Sequence, residues 1–175
     1  VNGGLGMDGE SYARIAMNAE RILAGDDGIP ALRASRLLPS LFCAAALRML
    51  GAARSPAAII LFFRVYDLAL LLLAAWGWIL ICRSLAISER GRWLGMIGFF
   101  VNHAILKYGF YYPVLTDFTA FTVALFMLYA FLSDRAPLLF ALAAAGAFTW
   151  PTLLPLGTLL FCFPRRAVAE QPPRG

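Results

Sequence analysis

The sequence predicts an all-α, polytopic integral membrane protein with interfacial amphipathic helices in an outer loop. Three observations carry this prediction. Of the 175 residues, 61% are hydrophobic and only 14% are charged, against about 25% charged in soluble globular domains. The apolar residues gather in long blocks, with a mean hydropathy of +0.74, as membrane spans require. The basic residues sit at block edges, where the positive-inside rule and anionic headgroups account for a net charge of +5. No tract interleaves Lys or Arg with aromatics, so nucleic acid is not an expected partner. Membrane lipids are.

Each element has a local reason. Residues 9–24, "GESYARIAMNAERILA", place Tyr12, Ile15, Ala16, Ala19, Ile22 and Leu23 on one helical face, with Ser11, Arg14, Asn18 and Arg21 opposite. Asp8 is positioned as an N-cap and Glu10 favours the first turn. The segment "GDDGIP" ends the helix. It carries too many charges to span, so it is expected at an interface. Residues 37–50, "LLPSLFCAAALRML", are apolar but shorter than the roughly 20 residues a crossing needs. Pro39 suits the start of this second surface helix, and "GAARSP" ends it.

Four apolar stretches follow: 57–82, 93–107, 118–132 and 137–163. The last is either one helix or a hairpin broken at "TWPTLLP" by Pro151 and Pro155. With 37–50 on the surface and 137–163 a hairpin, Arg83, Arg90, Arg92, Arg135, Arg165 and Arg166 share one side, which should be cytoplasmic. Asp8 and Asp117 then share the outer side. The expected division is an extracytoplasmic segment 1–56, a bundle 57–163 and a cytoplasmic tail 164–175, in the plasma (inner) membrane. Residues 1–7 hold no apolar stretch and "EQPPRG" ends abruptly, so the chain reads as a fragment of a larger membrane protein.

Few polar residues touch the apolar blocks. Asp8 and Asp117 each read equally well as helix caps, but together they make the pair an outward-facing acid site needs. Arg64 and Asp67, three apart within the long span, read as a self-satisfying structural pair ahead of a substrate site. His103 is the single histidine and reads as a buried imidazole. Lys107 either snorkels or holds a phosphate near Asp117. Tyr108, Tyr111 and Tyr112 read as an interfacial aromatic belt. Arg33 and Arg36 bind headgroups, generically or as a phosphate clamp. Cys43, Cys82 and Cys162 give neither a disulfide framework nor a zinc site. No nucleotide-binding or hydrolase motif is present. A cofactor is not identified: two acids leave a divalent cation open, and no metal ligand set is assigned.

The order of "MDGESYARIA", "RLLPSLFCAAALRMLG", "FFRVYDLALLLL", "ERGRWLGMIGFF" and "YYPVLTDFTAF" resembles the N-terminal half of the GT-C glycosyltransferases, in the branch of aminoarabinose transferases and protein O-mannosyltransferases. The resemblance covers nearly the whole chain through short motifs. It implies an essential acid of the first outer loop at Asp8 and a second outer acid at Asp117. Where that family often has two adjacent acids, Gly9 here separates Asp8 from Glu10. It further implies sugar transfer from a polyprenyl-phosphate donor on the extracytoplasmic face, through an oxocarbenium-like transition state. Asp8, Asp117 and Glu10 are then the catalytic candidates. Lys107, Arg33, Arg36, Tyr12 and Tyr112 are the substrate-binding ones, with cations offsetting charge on the departing phosphate. The alternatives are a transporter or flippase using Arg64 and Asp67, or a non-catalytic membrane scaffold.

Overall fold

A computed structural model describes residues 5–25, 33, 35–101 and 111–163. Among them the chain is all-helical, without strands. Its helices are α1 (Gly6–Met17), α2 (Ala19–Leu23), α3 (Leu38–Met49), α4 (Pro56–Ser84), α5 (Glu89–Phe100), α6 (Asp117–Leu132), α7 (Ala136–Ala147) and α8 (Leu153–Cys162). His103, Lys107, Tyr108, Arg165, Arg166 and the tail 164–175 lie outside the described residues.

The long helix α4 organises the rest. Ser55 caps it by accepting a hydrogen bond from the Ala58 amide at 3.2 Å, and Pro56 occupies the first helical position. Its 29 residues rise about 43 Å, more than a bilayer's hydrocarbon core of about 30 Å. It is the one described helix long and apolar enough to cross a membrane. The others, at 5 to 16 residues, are shorter than a straight crossing.

Helix α6 packs parallel to α4. The Tyr66 hydroxyl meets Thr119 Oγ1 at 3.1 Å, Thr122 donates to the Leu70 carbonyl at 3.3 Å, and Trp76 sits edge-on to Phe126. A parallel pair needs a return segment between its members. Helix α5 starts that return, with Trp78 donating to the Arg92 carbonyl and its ring tilted against Phe99. Helices α7 and α8 form an antiparallel hairpin, so residues 137–163 are two helices, divided at 148–152. Gly146 and Gly157 let this hairpin close. A Cβ at Gly157 would stand 2.5 Å from Ala143 Cβ.

The turns after α4 and α6 are built alike. Ala86 and Asp134 adopt positive φ, at 50° and 58°. In the first turn the Ile87 amide bonds the Cys82 carbonyl. In the second, the Arg135 amide bonds the Ala130 carbonyl. These are Schellman closures that satisfy the last helical carbonyls without a glycine. At Gly51, after α3, the same left-handed position is filled by glycine.

Two expectations need correction. The first helix is not continuous over 9–24. It runs from Gly6 and breaks at Asn18, whose φ and ψ of −113° and 30° leave the helical region. Asp8 is therefore not its N-cap but lies within its first turn, and Gly9 is helical. The helix expected from 93 begins at Glu89, because Ser88 accepts the Gly91 amide and sets an earlier start. The apolar stripe of α1 packs against the rest of the chain. Tyr12, Ile15 and Ala16 are buried against Cys43, Leu47, Ile59, Phe63 and Val114. The amphipathic helix covers one end of the bundle with its apolar side inward.

The outer surface below that end is apolar. Leu61, Val65, Leu68, Leu72 and Trp76 of α4 are exposed, as are Trp93, Leu94 and Ile97 of α5. Soluble monomers seldom display so continuous an apolar face.

Candidate functional site

Three segments distant in sequence meet where α6 begins. Helix α1 brings Asp8, Ser11 and Tyr12. The stretch before α3 brings Arg33 and Arg36. The approach to α6 brings Val114 and Asp117. Their meeting depends on Gly9. A Cβ there would lie 3.2 Å from the Val114 carbonyl oxygen and 3.4 Å from its Cβ. Glycine thus lets the first turn of α1 settle against the segment leading to Asp117.

Arg33 binds the Asp8 carboxylate at 3.2 Å and also donates to Ser11 Oγ, one turn further along α1. Arg36 donates to the Tyr12 hydroxyl at 3.3 Å. Its guanidinium also lies 3.5 Å from the centroid of the Trp150 ring, a cation–π stack. Trp150 belongs to the α7–α8 turn, which the amide of Leu38 fastens to the start of α3 by a 3.1 Å bond to the Phe148 carbonyl. The hairpin therefore supplies a wall of the site.

Asp117 is the first residue of α6, just ahead of the apolar run 118–132. Burial pushes its carboxyl above the ordinary carboxylate range. Its own backbone amide and Arg36 pull the other way, while Asp8 adds to the rise. Asp117 thus feels both the arginine and the other acid of the cluster. Its N-terminal position also suits the helix dipole.

Not every candidate joins this cluster. Glu10 is exposed, and two residues along a helix turn it about 200° away from Asp8. Tyr112 is half-buried one residue before Pro113 on the approach to α6. Lys107 lies outside the described residues. Arg64 and Asp67 do not form the expected pair: Arg64 is exposed, Asp67 is buried, and no ion pair joins them among the described residues. The two side chains occupy different faces of α4, one outward and one against the bundle.

Trp150 is the contributor that sequence reasoning missed. It lies in "TWPTLLP", a stretch that read only as a helix break, and its partner is 114 positions earlier. Burial pushes the Cys43 thiol up to about 12, which leaves it a packed hydrophobe and not a nucleophile. Among the described residues no three His, Cys, Asp or Glu side chains converge to hold a metal.

Comparison with protein-family models, with curated proteins and with solved structures finds no match to this chain. Among the described residues the fold and site define an all-helical class, with one membrane-length helix and an acid–arginine cluster at one end.

Proposed function

We propose that this chain is part of a GT-C-type membrane glycosyltransferase. It would transfer a sugar from a polyprenyl-phosphate donor to an acceptor on the extracytoplasmic face of the plasma (inner) membrane. In this reading α4, α6 and the α7–α8 hairpin are embedded as a multi-pass bundle. The observation that carries it is the convergence of Asp8, Asp117, Arg33 and Arg36 at one end of an apolar-surfaced bundle. A lipid-linked donor presents its phosphate and sugar at that depth.

The chemistry follows from the groups present. A carboxylate that deprotonates or orients an acceptor hydroxyl contributes typically 10²–10⁴-fold. Asp8, aimed by Arg33, takes that role, and Asp117 supports it. Arginine suits a departing phosphate because its planar fork pairs two oxygens at once. Arg36 has a buried Nε with no partner among the described residues, and an orphaned donor of this kind is costly unless an acceptor arrives.

The test is sugar transfer in membranes carrying the full-length protein, wild type against Asp8→Asn. A loss of about 10²-fold or more at unchanged protein level is expected. Equal transfer would leave Asp8 a structural partner of Arg33 and remove the proposal. Cysteines placed at 8 and 117 should both react with a membrane-impermeant reagent from outside. Reaction from opposite sides is incompatible with a shared site.

A further inference from the structure

We infer that Asp67 is the anionic half of a binding site for one small monovalent cation, a proton or a sodium ion, enclosed between α4 and α6. The site is separate from the acid–arginine cluster and does not depend on the glycosyltransferase reading.

Asp67 lies on the packed face of α4, in line with the buried Phe63, Leu70 and Ala74. It is 5% exposed, and its Oδ1 is buried without a hydrogen-bond partner among the described residues. Among the described residues no side chain supplies Asp67 with a counter-charge. On α4 itself the nearest cation is Arg64, which is exposed. Helix α6 has no charged residue between 118 and 132, and Asp117 at its start has the same sign. On α3, Arg48 is exposed and engages Glu20 instead. On α1, Arg14 is exposed. On α5, Arg92 meets α4 at Trp78, eleven residues and about 16 Å along the helix from Asp67. The titratable side chain that interacts with Asp67 is the adjacent Tyr66 phenol.

The seam around Asp67 is polar in an otherwise apolar pack. On the α4–α6 seam the Tyr66 hydroxyl, next to Asp67 in sequence, meets Thr119, and Thr122 bonds the Leu70 carbonyl one turn further along. A bare carboxylate in such a place costs several kcal/mol unless a cation joins it. Carboxyl groups buried in membrane helices mark proton and ion pathways. Because no described side chain supplies the cation, we assign that role to a small mobile one. The hydroxyls of the seam are oxygen ligands of the kind such an ion accepts.

The experiment uses the full-length wild-type protein in lipid vesicles and dicyclohexylcarbodiimide, an apolar reagent that attacks protonated carboxyls. The adduct is located by mass spectrometry, with Asp67→Asn and Asp117→Asn as position controls. A proton site predicts an adduct at residue 67 that falls roughly tenfold per pH unit above its midpoint. A sodium site predicts an adduct suppressed at fixed pH by sodium chloride but not by choline chloride. No adduct at 67, or one indifferent to both pH and sodium, overturns the inference.

Discussion

The two ends of the α4–α6 pair are closed by different means. At the Asp117 end, side chains from α1, the stretch before α3 and the α7–α8 turn hold one another: Arg33 on Asp8, Arg36 on Tyr12 and Trp150. At the Arg135 end, the backbone closes itself through the turns at Ala86 and Asp134. Arg83, Arg90 and Arg135 are left exposed there. Both ends carry arginine: Arg135 lies 5.7 Å from the centroid of the Tyr129 ring, while Arg33 and Arg36 gather contacts from several segments at the first end. An end that needs only to stop its helices uses main-chain bonds. An end built around side chains from three segments has a geometry that something else can use.

The largest expected effect breaks the Asp117 end. Arg36→Ala removes a cation, its Trp150 stack and its bond to Tyr12, and should lower sugar transfer roughly 10²–10³-fold. Arg36→Lys should recover little, because lysine neither stacks nor forks in the same way. Trp150→Leu should cost less, about tenfold, the worth of a partly desolvated cation–π contact. If all three variants transfer normally, the contacts at this end are merely structural and the contrast between the ends fails.

The next effect belongs to the Arg135 half of the bundle. A Cβ at Gly95 would stand 2.1 Å from Trp78 Cζ2, and the indole is also tied to the Arg92 carbonyl at 3.1 Å. Gly95→Ala should therefore destabilise the α4–α5 packing by about 1–3 kcal/mol. Thermal unfolding in detergent measures this. Transfer per folded molecule should stay unchanged, since no residue of the acid–arginine cluster moves.

A smaller effect concerns pH. The Asp117 carboxyl is raised by burial and lowered by Arg36, so its ionised form is lost at a higher pH than for a free carboxylate. The acid limb of the pH–rate profile should lie correspondingly high. Residual activity of Arg36→Ala should show that limb moved higher still. A limb unmoved by Arg36→Ala would dissociate Asp117 from the titration.

The smallest effect lies at the edge of the Asp117 end. Arg54 grips both oxygens of Glu20, holding that carboxyl at about 2 against its ordinary 4.5. A depressed carboxyl stabilises the fold above the unfolded value and loses that contribution as pH falls. The fold should thus weaken from about pH 4.5 down towards 2. Glu20→Gln should flatten this part of the melting-temperature profile. Because the pair is exposed, the change at neutral pH should be slight.

The sequence by itself determined the helical class, the long helix and most helix boundaries. Those features depend on composition and on residues close in the chain: Ser55 and Pro56 at the start of α4, Gly51 after α3, Pro39 near the start of α3. It also named Asp8, Asp117, Arg33, Arg36 and Tyr12, because polar residues are conspicuous beside apolar blocks. Only the tertiary structure decided what those residues touch. The break at Asn18 and the left-handed Ala86 and Asp134 carry no glycine signal, so nothing local marked them. The separation of Arg64 from Asp67 depends on which face of α4 meets α6, and α4 is apolar nearly all round. The stack of Arg36 on Trp150 joins positions that helical spacing cannot relate. Local chemistry fixes where a helix starts and stops, but a contact between distant segments exists only once packing has selected the faces that meet.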